Sequence, residues 1–333
     1  MAKNQFGKIK VALLRILLLC TLVYIMSFFH AKQSKFKEKL NTVVKSENIS
    51  SQILFTPRHV LPHCIIIGVK KWGTTALKLM LTSIYPNIPL QDGEAHYFNT
   101  FYDKGLKFYK KSLPKMTKPD DIIIDKTPTY YRNIKVPARI KKDSPDSKII
   151  LLVCDPVRRT GSDFVHMAAR GQKAPKYMLN AKGQLPMETS LDQYLKLEHG
   201  SYNTTSPLIA DSVYAKNIQR WLSLFHREHI LVLNGENLVT DPYKLFRSLE
   251  NFLGLDHLVK KDTFSKADNG FNCWTSLKGR KCLAGAGNYG RKHPERTPGI
   301  RKLTKWLKKY YTPYNEKFFK LIGETFEWKM DTI

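Results

Sequence analysis

A short apolar run leads into a turn that contains glycine, lysine and threonine. Residues 65–77 have the sequence IIIGVKKWGTTAL, in which a hydrophobic stretch precedes the turn and an amphipathic stretch follows it. A buried strand, a turn and a helix in this order direct backbone N–H groups and a cation at an anion held on the helix N-terminus. The nucleotide triphosphatase motif, GxxxxGK followed by serine or threonine, is absent because Thr74 and Thr75 follow Gly73. The segment therefore predicts a phosphate-type cradle, and plain α/β architecture is the alternative interpretation.

Two later segments carry side chains suited to proton transfer and charge stabilisation. Glu94 and His96 are two residues apart and would lie on one face of an extended segment, with a carboxylate base beside an imidazole. Lys126 lies in a second polar segment, which has the sequence DKTP over residues 125–128. Single glutamate and lysine residues are usually solvated, so a surface role stays open beside the catalytic one.

A further polar region follows another apolar run. Residues 151–156 have the sequence LLVCDP, and Arg158, Arg159 and Ser162 come soon after it. Positive charge and a hydroxyl group therefore meet the carboxyl end of a predicted strand. Ligands in open α/β sheets bind on that side of the sheet, so this region is a second candidate for anion binding.

These candidate residues need a scaffold, and the chain alternates short apolar runs with amphipathic stretches. The apolar runs are CIIIGV, DIIID, KIILLVC and HILVLNG, and the amphipathic stretches include TALKLMLTSIY and NIQRWLSLF. Strands alternating with helices favour a parallel α/β sheet. Residues 237–255 are typical of a turn into an amphipathic core helix, with one face formed by Leu245, Leu249, Phe252 and Leu253.

The composition predicts a large folded domain with an anionic partner. The chain has 333 residues, 42% of them hydrophobic, which excludes a wholly disordered or low-complexity protein. Lysine and arginine total 55 against 28 aspartate and glutamate residues, so the formal charge is +27 and a polyanion is the expected partner. Five cysteines are too few for a disulfide scaffold, and no Cys or His spacing predicts a zinc site.

The N-terminal region predicts a membrane anchor. Residues 11–29 are mostly apolar and come close to the ~20 residues that span a bilayer. An uncleaved signal anchor is favoured over a cleaved signal peptide because no convincing cleavage site follows, and a buried core helix is a third interpretation. We expect a cytoplasmic tail at 1–10, the anchor at 11–29 and a polar lumenal stem at 30–60. The glycosylation sequons at Asn48 and Asn203 would be usable in that lumen.

Segments along most of the chain, taken in order, resemble the sulfotransferases that use 3′-phosphoadenosine-5′-phosphosulfate (PAPS), most closely the heparan sulfate glucosamine 3-O-sulfotransferases. The similarity extends from Cys64 to about Trp328 and includes IIIGVKKWGTTAL, EAHYF, DKTPTYY, DPVRRTGSDF, GENLVTDP, GRKHP and NEKFFKLIGETFEW. It implies a P-loop-like sulfotransferase fold at 61–333, with a central parallel sheet flanked by helices. It also implies a type II Golgi membrane protein with a lumenal catalytic domain. PAPS would be the sulfonate donor and heparan sulfate the partner, with no metal and no nucleic acid.

The resemblance also implies roles for individual residues. Glu94 would be the catalytic base, and His96 would flank the acceptor hydroxyl. Lys71 and Lys126 would stabilise the transferring sulfonate. The residues that would contact the donor are Lys71, Trp72, Gly73, Thr74, Thr75, Cys154, Ser162, Asn272, Tyr289, Gly290, Arg291, Lys292 and His293. The residues that would contact the acceptor are Glu94, His96, Asn99, Lys126 and Thr127. Cys273 and Cys282 would form a disulfide, which a lumenal location permits.

Several positions depart from the pattern of that family. Trp72 stands where the family has glycine, and Tyr289 stands where it has lysine. Thr75 and Cys154 both stand in place of arginine, and on the acceptor side Asn99 replaces an acidic residue. Two classes of function follow: an active 3-O-sulfotransferase, or a weakly active or inactive relative that binds heparan sulfate. An enzyme of the N-sulfotransferase kind is a further alternative.

Overall fold

The computed structural model describes residues 55–169, 189–267, 272–283 and 300–330, together with a few helical positions between 32 and 38. The predicted anchor at 11–29, the sequon at Asn48 and the predicted donor residues 289–293 lie outside the described residues. In the described ranges, no helix is long and apolar enough to cross a membrane. The chain divides into two compact units, Met1–Thr56 and Pro57–Ile333. The strands and the longer helices belong to the second unit.

A parallel sheet of four strands forms the centre of the larger unit. Its strands are β1 Cys64–Gly68, β2 Ile124–Lys126, β3 Lys148–Val153 and β4 Ile230–Asn234. They lie in the order β2-β1-β3-β4, and all three pairings are parallel. Every residue of β1 is buried, as expected for a parallel strand that is covered on both faces. The parallel α/β sheet predicted from the sequence is therefore confirmed.

Helices connect these strands, and a second sheet lies toward the C-terminal end of the chain. The helices are α1 Thr74–Ile84, α2 Gly105–Lys111, α3 Val136–Asp143, α4 Pro156–Ala169, α5 Leu191–Leu195, α6 Pro207–Ala210, α7 Tyr214–Leu222, α8 Asn237–Thr240, α9 Pro242–Leu253 and α10 Ile300–Ile322. The second sheet is antiparallel and contains β5 Phe264–Lys266, β6 Asn272–Ser276 and β7 Gly279–Cys282.

Helix α9 matches the amphipathic helix predicted from the sequence. The Asp241 carboxylate caps it by accepting a hydrogen bond from the backbone N–H of Lys244 at 3.0 Å. Gly254 ends it in the left-handed conformation, with φ +73°. The predicted apolar face is buried at Leu245, Leu249 and Leu253, with Phe252 partly buried at the edge of the same cluster. That cluster joins α9 to α1 and to one face of the central sheet.

Strand β2 begins later than the apolar run at 121–125 predicts. Ile122 donates its N–H to the carbonyl of Asn87 at 2.7 Å, so this residue is engaged outside the sheet. Pairing with β1 runs instead from Ile124 to Lys126. The shift places Lys126 in the last position of the strand, at the carboxyl edge of the sheet.

The carboxyl ends of three neighbouring strands meet at this edge. In the register of the sheet, Lys126 lies opposite Ile66, and Gly68 lies opposite Leu151. The turn after β1, the end of β2 and the start of α4 are therefore brought together. The edge where open α/β sheets bind ligands is the edge that carries the polar segments singled out in the sequence.

Candidate active site

The turn between β1 and α1 contains two residues in the left-handed backbone conformation. Lys71 has φ +76° and Gly73 has φ +75°, a region that disfavours residues with a side chain. A Cβ added at Gly73 would lie 2.6 Å from Cδ1 of Leu238, so the turn also packs too closely there for a side chain. Helix α1 begins directly after Gly73 and has no acidic residue in its first turn. The turn thus offers helix N–H groups to an anion and carries Lys71 beside them, whereas Lys70 pairs with Asp163 at 3.0 Å.

The carboxylate of Glu94 lies between a lysine and a histidine. Its Oε1 is 2.6 Å from Nζ of Lys126, and its Oε2 is 3.3 Å from Nε2 of His96. The Lys126 side chain is 4% exposed, whereas Glu94 and His96 are 30% and 35% exposed. A buried cation therefore holds a carboxylate that a ligand in solution can still reach.

The side of His96 that faces away from Glu94 is held by a threonine. Nδ1 of His96 lies 3.4 Å from Oγ1 of Thr129. Asn99 donates a hydrogen bond from Nδ2 to the same Oγ1 at 3.0 Å. The imidazole is thus fixed from both nitrogens, and Asn99 acts on it through Thr129.

A threonine of the cradle connects α1 to this group. Nζ of Lys126 lies 3.5 Å from Oγ1 of Thr75, as well as 2.6 Å from Glu94. Thr75 is the second residue of α1, directly after the turn that offers N–H groups to an anion. The structure therefore joins the anion-binding turn and the carboxylate into one site, with Lys126 between them.

A buried network behind Lys126 sets the position of the strand end. The backbone N–H of Lys126 donates to Oε1 of Gln91 at 2.8 Å. Asp125 accepts hydrogen bonds from the hydroxyls of Thr127 at 2.7 Å and Tyr109 at 2.8 Å. Burial raises the pKa of Asp125, and these hydrogen bonds act against the increase. Thr127, expected at the acceptor, is fully buried and directs its hydroxyl to Asp125.

Glu94 and His96 converge by a different route from the extended segment considered in the sequence. His96 has φ +49°, and the backbone N–H groups of Thr100 and Phe101 both donate to its carbonyl. The chain thus turns at His96 instead of continuing as a strand. The two side chains meet because of that turn and not because alternate residues of a strand share a face.

Trp72 packs its indole against the end of β4. A Cβ added to Gly235 would collide with the Trp72 ring and would lie 2.9 Å from the carbonyl oxygen of Val153. The guanidinium of Arg158 lies over the same ring, 5.0 Å from its centroid. Nη1 of Arg158 is also 2.9 Å from Oε2 of Glu236. The indole, which stands where the resemblance expects glycine, therefore fills the space above Gly235 and lies against the guanidinium of Arg158.

The two neighbouring arginines of α4 differ in what they can bind. Arg159 is fully buried, and its guanidinium donates to Asp163, Ser212 and the carbonyl of Leu208. The side chain of Arg158 is 46% exposed. Ser162 follows Arg158 by four residues, which places both on one face of the helix. Of these two arginines, Arg158 is therefore the one that can meet an incoming anion.

Cys154 lies inside the core. It is fully buried, and its Sγ is 3.6 Å from the hydroxyl of Tyr214. Burial raises the pKa of this thiol well above its ordinary value, which keeps it neutral. The position where the resemblance expects an arginine therefore presents no charge to the site.

Comparison with known proteins assigns the chain to a family. A family model described as a sulfotransferase domain matches residues 61–326. The chain belongs to the sulfotransferase family. It is 33% identical over 273 residues to human (Homo sapiens) heparan sulfate glucosamine 3-O-sulfotransferase 5, a match covering 80% of this chain and 74% of the relative.

A second human relative agrees with this assignment, and a solved structure has a similar fold. Homo sapiens heparan sulfate glucosamine 3-O-sulfotransferase 3B1 is 34% identical over 272 residues, covering 80% of this chain but 65% of the relative, slightly less than two thirds of its length. The crystal structure of a sulfotransferase from Alicyclobacillus acidocaldarius aligns with a TM-score of 0.51 at 19% identity, covering 80% of this chain and 98% of that one. This structural similarity supports the fold alone.

The residues of this sulfotransferase fit an anionic donor of the PAPS type. A donor with two separate anionic groups needs hydrogen-bond donors and cations at two places. The turn before α1 supplies the first through Lys71, Gly73 and Thr74. The exposed face of α4 with Arg158 and Ser162 supplies the second. Within the described ranges, no cluster of three or more His, Cys, Asp or Glu residues could hold a metal.

The remaining predicted residues lie at the antiparallel sheet or outside the described ranges. Asn272 is buried on β6, and its amide donates to the carbonyls of Leu238 and Val239 in α8. Cys273 and Cys282 lie opposite each other on β6 and β7, with their sulfur atoms bonded. Tyr289, Gly290, Arg291, Lys292 and His293 lie outside the described residues.

Three residues of the site were not predicted from the sequence. Thr129 orients His96, and Gln91 anchors the backbone of Lys126. Lys78 donates from Nζ to the carbonyl of Gln91 at 2.9 Å, and burial together with the charge of Lys126 lowers its pKa. Thr129 lies within the DKTPTYY segment, so its neighbourhood could have indicated it. Gln91 and Lys78 have no motif of their own, because their roles depend on how two loops meet.

Proposed function

We propose that this chain transfers the sulfonate of PAPS to the 3-hydroxyl of glucosamine residues in heparan sulfate. The observation that carries the proposal is the position of Glu94, which lies between Lys126 and His96 and reaches the anion-binding turn through Thr75. A base that is partly exposed beside a cradle for the donor is the arrangement that sulfonate transfer to a hydroxyl requires. The names of the relatives supply the class of acceptor.

Glu94 would act as the general base. A sugar hydroxyl is a weak nucleophile, so a carboxylate within hydrogen-bond reach accelerates its attack by accepting the proton. The 30% exposure of Glu94 leaves room for that hydroxyl beside the carboxylate. His96, held by Thr129, would orient the same hydroxyl from the other side.

Lys126 would stabilise the charge that develops during transfer. Its ammonium lies within 3.5 Å of both Glu94 and Thr75, so it stands between the base and the first turn of α1. PAPS, when bound, supplies an activated sulfonate with a good leaving group. A fixed cation in a partly water-excluded site lowers the energy of the transition state by electrostatic stabilisation. Lys71, in the turn itself, would do the same on the donor side.

Arg158 would replace the cation that is missing at Cys154. The 3′-phosphate of the donor is expected near Ser162, and Arg158 shares the exposed face of α4 with that serine. Trp72 lies under the guanidinium and limits its motion, while Glu236 pairs with it in the absence of an anion. The departures at Trp72 and Cys154 are then compatible with donor binding.

We also propose that the protein is a single-pass type II Golgi membrane protein with its catalytic unit in the lumen. Residues 11–29 support an anchor by their length and apolarity. Asn203 supports a lumenal location, because Thr205 of its sequon is exposed in a surface turn. Oδ1 of Asn203 accepts hydrogen bonds from the N–H and hydroxyl of Thr205 in that turn.

Incubation of the full chain with heparan sulfate and PAPS labelled in the sulfonate, followed by disaccharide analysis, tests the proposal. We expect the label on the 3-hydroxyl of glucosamine. Label on the amino nitrogen would replace the proposal with N-sulfation. Heparan sulfate binding without any transfer would identify the chain as an inactive relative that binds the polysaccharide.

A further inference from the structure

Three aromatic residues line one face of the C-terminal helix α10. Trp306, Tyr310 and Tyr314 are each four residues apart, so they lie on one face of the helix. The rings of Trp306 and Tyr310 are nearly parallel, with centroids 5.0 Å apart, and Tyr314 lies 5.3 Å from Tyr310. Tyr202 adds a fourth ring 4.7 Å from Trp306. We call these four residues the aromatic ladder.

The three ladder residues of α10 form one wall of an open cavity with cationic sides. The cavity has a volume of about 670 Å³ and is lined by Trp306, Lys309, Tyr310, Pro313, Tyr314 and Lys317. Both charged residues of this lining are lysines, and both are exposed. A volume between about 300 and 1,000 Å³ is typical of sites for small ligands or ligand segments. The cavity therefore combines flat apolar rings with positive charge.

This cavity is separate from the candidate active site. Its lining residues all belong to α10, whereas the site described above is formed by the turns after β1, β2 and β3. The ladder rings pack on an apolar cluster that includes Val157 and Phe164 of α4 and Leu303 and Leu307 of α10. The rings are thus packed against the core, and those of Trp306, Tyr310 and Tyr314 also border the cavity.

The chemistry of the cavity suits a sulfated sugar chain. Aromatic rings pack against the C–H faces of pyranose rings, and lysine ammonium groups pair with sulfate and carboxylate groups. Burial and a hydrogen bond with Tyr314 raise the pKa of Tyr310 to about 12, so the hydroxyls of these two ladder residues hold each other in place. The lining contains no carboxylate that would repel the ligand.

We propose that the aromatic ladder and its two lysines form a second binding site for a sulfated polysaccharide, outside the active site. The class of ligand rests on the proposed function, because the same polymer would be the acceptor. A long chain that contacts both sites would bind more tightly than a short one, since the second contact becomes intramolecular. The site would thus favour long heparan sulfate chains over short oligosaccharides.

A pair of charge-reversal variants tests the proposal on the full chain. Lys309→Glu with Lys317→Glu alters the cavity, and Lys302→Glu with Lys320→Glu makes the same change in net charge on the same helix outside the cavity. All four lysines are exposed, so both variants should fold. We expect the cavity variant to lose at least about ten-fold in affinity for long heparan sulfate, and the control variant to lose clearly less. Both variants should bind and sulfate a tetrasaccharide like the unaltered chain.

Equal losses in the two variants would overturn the proposal, because net charge alone would then explain the binding. Unchanged long-chain affinity in the cavity variant would overturn it as well.

Trp306→Ala, compared with Trp306→Phe, gives a second test of the ladder, with circular dichroism to verify folding. Bases also stack on aromatic rings, so single-stranded DNA is a competing ligand. If Trp306→Ala weakens the binding of single-stranded DNA as much as the binding of heparan sulfate, the site would be assigned to nucleic acid instead of the polysaccharide. Failure of the unaltered chain to sulfate the tetrasaccharide would contradict the proposed function, whereas the comparison of the two lysine pairs would still decide the second site.

Discussion

The acidic residue at the centre of the site is shared between two different partners. Glu94 lies 2.6 Å from the buried ammonium of Lys126 and 3.3 Å from the half-exposed ring of His96. Lys126 ties the carboxylate to the sheet and to Thr75, whereas His96 ties it to the loop that contains Thr129. One carboxylate is thereby positioned from the end of β2 and from the loop that directly follows it in the sequence.

At the scale of single residues, Arg158 is expected to determine donor affinity. Arg158→Ala removes the exposed guanidinium of α4, and losing a charge-assisted contact with a phosphate should weaken binding of adenosine 3′,5′-bisphosphate about ten- to a hundred-fold. Binding of adenosine 5′-monophosphate, which lacks the 3′-phosphate, should not change. Calorimetry with both ligands measures the difference.

The control for Arg158 is another exposed arginine in an ion pair. Arg132→Ala breaks a contact with Asp211 at 3.3 Å, and its side chain is 50% exposed, close to the 46% of Arg158. It should leave the affinity for both nucleotides unchanged. Equal affinity of Arg158→Ala and the unaltered chain for the bisphosphate would exclude Arg158 from the donor site.

Residue types in motifs could be predicted, but their contacts could not. Glu94, His96 and Lys126 lie in recognisable segments, and the structure brings all three together. Gln91 and Thr129 act through hydrogen bonds between loops that are distant in sequence. No local pattern encodes such contacts, because they depend on the register of β2 and on the turn at His96.

At the scale of elements, a buried arginine that is ion-paired within α4 also joins α4 to the segment that contains α6. Arg159 is fully buried and pairs with Asp163 at 3.2 Å, while its other nitrogens donate to Ser212 and to Leu208 of α6. Burial would raise the pKa of Asp163, but the charges of Arg159 and Lys70 outweigh it and hold the pKa below its ordinary value. The pair therefore stabilises the fold while the aspartate is ionised.

Asp163→Asn is expected to destabilise the protein by about 3 kcal/mol or more, because it leaves a buried guanidinium without its counter-charge. Denaturant unfolding of the variant and of Asp256→Asn, an exposed control, measures the loss. A carboxyl group whose pKa is lower in the folded than in the unfolded protein stabilises the fold fully when the pH is above the unfolded-state pKa of about 3.9. This stabilisation is lost as the pH falls through the folded-state pKa. The unaltered chain should therefore lose more stability below about pH 4 than the variant does. Identical acid profiles would show that the pair contributes nothing.

The strands were largely predictable from their apolar runs, since a parallel sheet buries both faces of a strand. The run KIILLVC gives β3 at Lys148–Val153, and CIIIGV gives β1 at Cys64–Gly68. The strand start predicted from the run at 121–125 is too early, because Ile122 donates its N–H to Asn87 and not to a neighbouring strand. Hydrophobicity predicts burial, but it does not say which buried residue pairs with the neighbouring strand.

At the scale of the whole molecule, the charge of +27 is only partly explained by the active site. Among the described residues, the cations at the candidate donor and acceptor positions are Lys71, Lys126 and Arg158, and Thr75 and Cys154 stand where the resemblance expects arginine. Helix α10 carries seven basic residues and a single acidic one, so part of the excess lies on a helix that contributes no residue to the candidate active site. Positive charge that is spread over the surface of a protein strengthens its attraction for a long polyanion.

The proposed location of the chain in the cell can also be tested on the whole molecule. A lumenal catalytic unit should carry a glycan at Asn203, and N-glycosidase treatment should increase the electrophoretic mobility of the full chain. Asn203→Gln should remove the part of this shift that is due to Asn203. Carbonate extraction should leave the chain in the membrane fraction if residues 11–29 form an uncleaved anchor. Release by carbonate, or resistance to the glycosidase, would contradict the type II arrangement.

The central claim is that Glu94 is the base of a sulfotransferase. The direct measurement compares the full chain with Glu94→Gln, recording transfer of labelled sulfonate from PAPS to heparan sulfate together with binding of adenosine 3′,5′-bisphosphate. We expect transfer to fall at least about a hundred-fold in the variant. Nucleotide affinity should not weaken, because Gln keeps the shape of the side chain and its loss of negative charge beside Lys126 does not oppose an anionic ligand. Near-parental transfer by Glu94→Gln would show that another group accepts the proton.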